Sequence, residues 1–214
     1  MAKAQDKYLQ PSGAAGVIVS ADREEARKRL QAFINDVKKL DDFLQKNRVD
    51  KLVNGSAEDI TAKRVDRWFG SYRPSHLEAL SLKANRMIEV ISGTTGWKFV
   101  AWRKYTAQNK AYASHNGGTN KFHQGDGKFE KKTINLTGKY FDQSPSIRAN
   151  IIIHEAVHAT NGPGVGLKRK RGHYMTPRNG MEAMQFTVTS AYMTKEQAIL
   201  NADSWECYFG NGVC

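Results

Sequence analysis

Ile151-Ile152-Ile153-His154-Glu155-Ala156-Val157-His158 is the stretch on which the reading of this chain turns. Two histidines at i and i+4 share one helix face about a turn apart, a spacing that lets two imidazoles hold one tetrahedral zinc. The glutamate beside the first can reach a water activated by the metal and act as general base. The isoleucine run implies burial on most sides, and a buried helix does not carry two histidines and a carboxylate without partners for them. His154 and His158 are therefore the expected metal ligands, and Glu155 the expected catalytic base.

Upstream, Pro145 and Ser146 open this helix, expected from about Ile147 to Thr160. Before it the pattern is β: Trp97 to Trp102 alternates, Lys110 to Ala113 is short, and Thr133-Ile134-Asn135-Leu136 precedes Tyr140-Phe141. Glycines 117, 118, 125 and 127 divide these runs. The first half is helical. Asp22, with Glu25 three residues on, reads as the N-cap of a long amphipathic helix to about Lys46, carrying Leu30, Phe33, Ile34, Val37, Leu40 and Leu44. A second helix runs from Ser56 to Gly70 and a third from Pro74 to Gly93. Downstream, residues 161–180 hold five glycines, Pro163, Pro177 and Lys168-Arg169-Lys170-Arg171, and read as a long loop. Two closing helices are expected, about Met181 to Tyr192 and Lys195 to Tyr208. The expected architecture is α+β, with a helical N-terminal half, a small mixed sheet and the His154–His158 helix, whose His-Glu-x-x-His pattern makes it resemble a zincin-like metallopeptidase. A flexible arm (1–20) precedes a helical region (21–95) packed on a catalytic region (96–214), the last two forming one domain.

Composition narrows the class. The chain has 214 residues, 40% hydrophobic, enough for one real core. No run approaches the roughly 20 apolar residues of a membrane span, and no Sec-type signal is legible. The expectation is residence in the producer's cytoplasm or export by a signal-independent route. A net charge of +12 favours acidic partners. Nucleic-acid binding through Trp97, Trp102 and Tyr105, interleaved with Lys98, Arg103 and Lys104, is the rival reading, but no recognised module supports it. A zinc-binding protein without turnover is the second rival. Cys207 and Cys214 would close only a short terminal loop.

A catalytic zinc needs a third protein ligand, and ligand chemistry leaves three candidates. Glu182 opens a helix after the long loop, His173 lies in Gly172-His173-Tyr174, and Asp203 lies in the last helix. Tyr174 and Tyr208 are candidates for the hydroxyl that stabilises a tetrahedral oxyanion. Ile134 to Leu136 is expected as the edge strand beside the cleft, where an extended protein or peptide substrate adds in β fashion.

Two segments resemble the aspzincin family of zinc endopeptidases, the deuterolysin and lysine-specific metallo-endopeptidase group, which also occurs in bacterial toxin domains. One is Thr133 to Leu136 through Tyr140-Phe141 and on to His158. The other is Asn201-Ala202-Asp203-Ser204-Trp205-Glu206-Cys207-Tyr208-Phe209, similar to the family's C-terminal N-A-D-x-x-E-x-F stretch. The likeness covers roughly the last 80 residues. It implies one zinc, endopeptidase activity and, through Asp203 and Glu206, an acidic pocket for a basic substrate side chain, with a secreted effector or toxin as the setting. By position it makes Asp203 a pocket residue and not a ligand. The family's G-T-x-D-x-x-Y-G, which carries the third ligand and a tyrosine, is not matched; Gly172-His173-Tyr174 and Gly180-Met181-Glu182 are the nearest fragments.

Overall fold

The computed structural model describes residues 8–9, 13–47, 51–102, 113–116, 132–161 and 195–210. Helix α1 (Gly13–Lys46) is the longest element, and Val19, Asp22, Ala26, Leu30, Phe33, Val37 and Leu40 form its buried stripe at steps of three and four. It begins nine residues before the expected cap. Asp22 is not a cap: it is buried within the helix, and Glu25 pairs with Arg29 instead at 2.8 Å.

Helix α2 (Ala57–Phe69) is capped by Ser56, whose Oγ accepts from the Asp59 N–H, and stops at Gly70 in the left-handed region at φ 78°. Helix α3 (Pro74–Ser92) has Pro74 in its first turn and ends at Gly93, φ 80°. Helix α1 packs along α3. Strands β1 (Tyr8–Leu9), β2 (Lys98–Trp102), β3 (Ala113–Asn116) and β4 (Thr133–Leu136) form one sheet in the order β1-β2-β4-β3. The β2–β4 pair is parallel and the two outer pairs are antiparallel.

That order corrects the expected edge. β4 lies inside the sheet, and Ile134 and Leu136 are fully buried in the core. The described edge on that side is β3, which pairs with β4 in the register Ser114 to Asn135 and packs near the His154 helix. Of the expected strand Lys110–Ala113 only Ala113, where β3 begins, lies among the described residues. Tyr140 and Phe141 sit in a short helix, α4 (Gly138–Phe141), and not in a strand.

Helix α5 (Pro145–Thr160) is capped by Ser144 and packs against α1, α3 and β3. The expected closing helix is two, α6 (Lys195–Leu200) and α7 (Ala202–Phe209), because Asn201 between them is extended at φ −85°, ψ 115°. Asn201 is fully buried, and its side-chain amide donates to Ser204 Oγ at 2.9 Å. The expected helix at 181–192 lies outside the described residues. One hydrophobic cluster joins the helical half to the C-terminal elements. Its centre is aromatic: Phe33 meets Trp205 at 5.2 Å and Tyr208 at 5.0 Å between ring centroids, and Phe69 meets Trp205 at 4.8 Å.

Candidate metal centre

Helix α5 is apolar nearly all round: Ala149, Ile151, Ile152, Ile153, Ala156 and Val157 are buried. It is fixed at both ends. Near its start, Arg148 donates to Asp22 of α1 at 2.6 Å, and Arg29 of α1 donates to Asn150 Oδ1, also at 2.6 Å. At its end the buried Lys83 of α3 reaches Val157 O at 3.3 Å and Asn161 Oδ1 at 2.5 Å. The Asn161 amide donates to Leu200 O at 2.8 Å, tying α5 to α6. Burial, helped by the charge of Arg86, pulls the Lys83 ammonium down to about 7. The i, i+4 pair sits on this rigid rod.

The two histidines face each other through one nitrogen apiece. His154 Nε2 and His158 Nε2 lie 3.2 Å apart, with ring centroids at 4.9 Å and planes 70° apart. Two ligands at about 2.0–2.1 Å from a tetrahedral zinc stand roughly 3.3 Å from each other, so the pair is spaced for a shared ion. Two imidazole nitrogens also suit zinc by type. Glu155, on the same helix, is 6% exposed.

The other nitrogen of His154 points at α7. Its Nδ1 is 2.8 Å from Glu206 Oε2 and 3.7 Å from Asp203 Oδ1. His154, Asp203 and Glu206 each offer a ligand atom within 4.8 Å of the others. Burial works against charging His154, but the Glu206 hydrogen bond and the negative charges of Glu206, Glu155 and Asp203 outweigh it and raise the imidazole to about 9. The Nδ1 side of His154 thus faces carboxylates, while its Nε2 faces His158 Nε2.

Helix α7 presents these carboxylates because its opposite side is anchored. Trp205 is fully buried and donates from Nε1 to Ile199 O at 2.9 Å. Cys207 is buried and disulfide-bonded. Tyr208 packs among Phe33 and Phe69, Arg64 lies 4.5 Å over its ring, and burial raises its hydroxyl to about 12. Arg64 also donates to the Tyr208 carbonyl. Two residues along a helix turn a side chain about 200° away, so Tyr208 faces away from Glu206 and His154. It is a core residue, which corrects its expected part in oxyanion stabilisation.

Of the expected site residues, His154, Glu155, His158, Asp203 and Glu206 come together, whereas Ile134 and Leu136 belong to the core. His173, Tyr174 and Glu182 lie outside the described residues. Sequence reasoning missed Lys83, although its place in the Leu77, Leu80, Ala84, Met87 stripe of α3 marks it for burial. It also missed the Asp22, Tyr140 and Arg148 cluster, which has no local signature.

No helix among the described residues is long and apolar enough to cross a membrane. No family model and no curated protein matches the chain. Among solved structures it is similar to a zinc peptidase from Grifola frondosa, with 18% identity and a TM-score of 0.56 over 94% of this chain and 96% of that one. A likeness at that identity is one of fold, and it spans both the helical half and the part that carries the histidines. The mostly helical chain with its small sheet thus shares the fold of that structure.

Proposed function

We propose that this protein is a zinc-dependent endopeptidase. The observation that carries the reading is the 3.2 Å approach of the two Nε2 atoms on a buried helix that also bears Glu155. His154 and His158 hold the ion, with Glu182 as third ligand and His173 or Asp203 as the alternatives. Asp203 is the weaker of these, because its carboxylate approaches the Nδ1 edge of His154, across the ring from Nε2. Zinc at this position supplies Lewis acidity, polarising a peptide carbonyl and making water nucleophilic near neutral pH. Glu155 takes the proton of the attacking water and delivers it to the departing amine. Tyr174 is the remaining candidate for stabilising the oxyanion. An extended substrate pairs with the outer edge of β3 and not with β4, and the acids of α7 favour a basic side chain on the leaving-amine side of the scissile bond.

The test is Glu155→Gln. It keeps zinc and fold, and lowers peptide hydrolysis by several orders of magnitude, because an amide cannot accept the proton. Activity within about tenfold of wild type would remove Glu155 from the mechanism.

A further inference from the structure

We infer that the cavity between the first turns of α1 and the start of β2 binds a small organic carboxylate carried on an aromatic ring, with Arg23 as the residue that reads the carboxylate. The cavity encloses about 210 Å³ and is lined from α1 by Val19, Ser20 and Arg23 and from the β2 side by Trp97, Lys98 and Phe99. It shares no residue with the metal centre. β4 and β3 stand between β2 and the sheet edge that packs near α5.

Val19, Trp97 and Phe99 are buried and give the cavity apolar walls. Arg23 is the charged group set among them, and it is already held in place. Its Nε donates at 2.7 Å to Ile91 O, one of the last carbonyls of α3, and its guanidinium carbon lies 4.8 Å from the centre of the Phe99 ring. Capping α3 uses one of five N–H donors. Arg23 pairs with no carboxylate among the described residues; burial and the nearby charge of Arg27 both pull its pKa below the ordinary arginine value. A cap alone does not account for a half-buried cation without an anion, since such a charge is costly until one arrives.

The ligand class follows from shape and size. A planar guanidinium fork matches the two oxygens of a carboxylate, and the walls of Val19 and Trp97 favour an apolar, flat body over a bare ion. A cavity of about 150 Å³ takes benzene, so 210 Å³ holds one ring with its carboxylate and little more. Ser20 and Lys98 are exposed and stand at the mouth. Lys98 has a contact of its own and contributes positive charge there, not an uncommitted donor.

Benzoate is titrated into the full chain while the indole N–H resonance of Trp97 and the backbone amides of Ser20 and Lys98 are followed by NMR. Benzyl alcohol supplies the ring without the charge, and inorganic phosphate the charge without the ring. Benzoate is expected to shift all three resonances with a Kd of about 1 mM, and each control to bind at least about tenfold more weakly. Arg23→Gln, checked for folding by circular dichroism, should weaken benzoate at least about tenfold. Ser20→Phe, at an exposed lining position, should obstruct the mouth and weaken it similarly while the α3 cap is kept. No shift with benzoate up to about 20 mM would overturn the inference, as would either control binding as tightly as benzoate. Unchanged affinity in folded Arg23→Gln overturns it too. Should Arg23→Gln not fold, unchanged affinity in Ser20→Phe does so equally. Shifts at His154 and His158 without shifts at the cavity would place benzoate at the metal centre and reject the assignment.

Discussion

Asp22 and Glu206 are both carboxylates that a helix brings against α5, and their difference separates what holds the protein together from what it can do. Asp22 is 2% exposed and surrounded: Tyr140 donates to it at 2.7 Å, and Arg148 at 2.6 Å through Nε and 3.3 Å through a terminal nitrogen. Both donors keep their protons at any working pH. The guanidinium is permanently charged, and burial together with Asp22 itself drives the Tyr140 hydroxyl well above its ordinary value. The cluster is closed. Glu206 is a quarter exposed and meets a histidine, whose proton can be exchanged for a metal. A carboxylate with saturated, unexchangeable donors is a clamp between α1 and α5. A carboxylate behind an exchangeable imidazole orients a ring whose other nitrogen is open to chemistry.

The largest expected effect breaks the clamp. Asp22→Ala leaves the partly buried Arg148 without its anion and the buried Tyr140 hydroxyl without its acceptor, and should cost about 3–5 kcal/mol, read as a fall in the urea midpoint with the slope unchanged. Zinc affinity of the fraction that remains folded should stay as in wild type. Glu206→Gln should invert this pattern, moving the midpoint of metal-free protein by no more than about 1 kcal/mol, since a partly exposed pair contributes little. If Asp22→Ala lowers zinc affinity while leaving the midpoint alone, the contrast between the two acids is wrong.

The same contrast marks how far the sequence could be read. The histidine pair was legible because helical period alone brings residues four apart together, and Pro145, Gly70 and Gly93 punctuate their helices locally. Asp22 misled for the same reason. Its local pattern, an acid three residues before Glu25, is that of a cap, whereas its partners lie 118 and 126 residues away. The contact of Glu206 with His154 spans 52 residues, so spacing could align it with Asp203 but not rank the two. β4 was read as an edge because strand order depends on which strands cross over, and here β4 returns parallel to β2 and leaves β3 outermost. The break at Asn201 has a local cause, but only its buried bond to Ser204 reveals it.

Lys83 offers a smaller effect with a definite sign. Its folded value of about 7 lies below the roughly 10.4 of an unfolded lysine, so between those values the unfolded chain binds more protons. Stability therefore rises with pH from about 7 towards 10, and below 7 the cost of burying the charged ammonium is borne in full. Lys83→Met removes that slope. Relative to wild type, the variant should fare better at pH 6 than at pH 9, as urea midpoints at the two values would reveal. A parallel pH dependence in both proteins would show that Lys83 is charged in the fold, stabilised by its bonds to Val157 O and Asn161.

The smallest effect tests whether α5 transmits anything along its length. Ser144 caps the helix with its Oγ 3.4 Å from the Ile147 N–H, a long bond at an exposed position. Ser144→Ala should cost about 0.5–1 kcal/mol, at the low end for a lost cap, and no more than Ser56→Ala, whose bond to the Asp59 N–H is 3.1 Å. His154 lies ten residues further on, about 15 Å along the axis. Between them Arg148 and Asn150 bind α1, so fraying of the first turn is arrested before it reaches the histidines. Zinc affinity measured on Ser144→Ala should then equal that of wild type. A fall in affinity with so small a loss of stability would mean that α5 shifts as a rigid rod when its cap is removed, and that the clamp at Asp22 does not isolate the two histidines from the helix start.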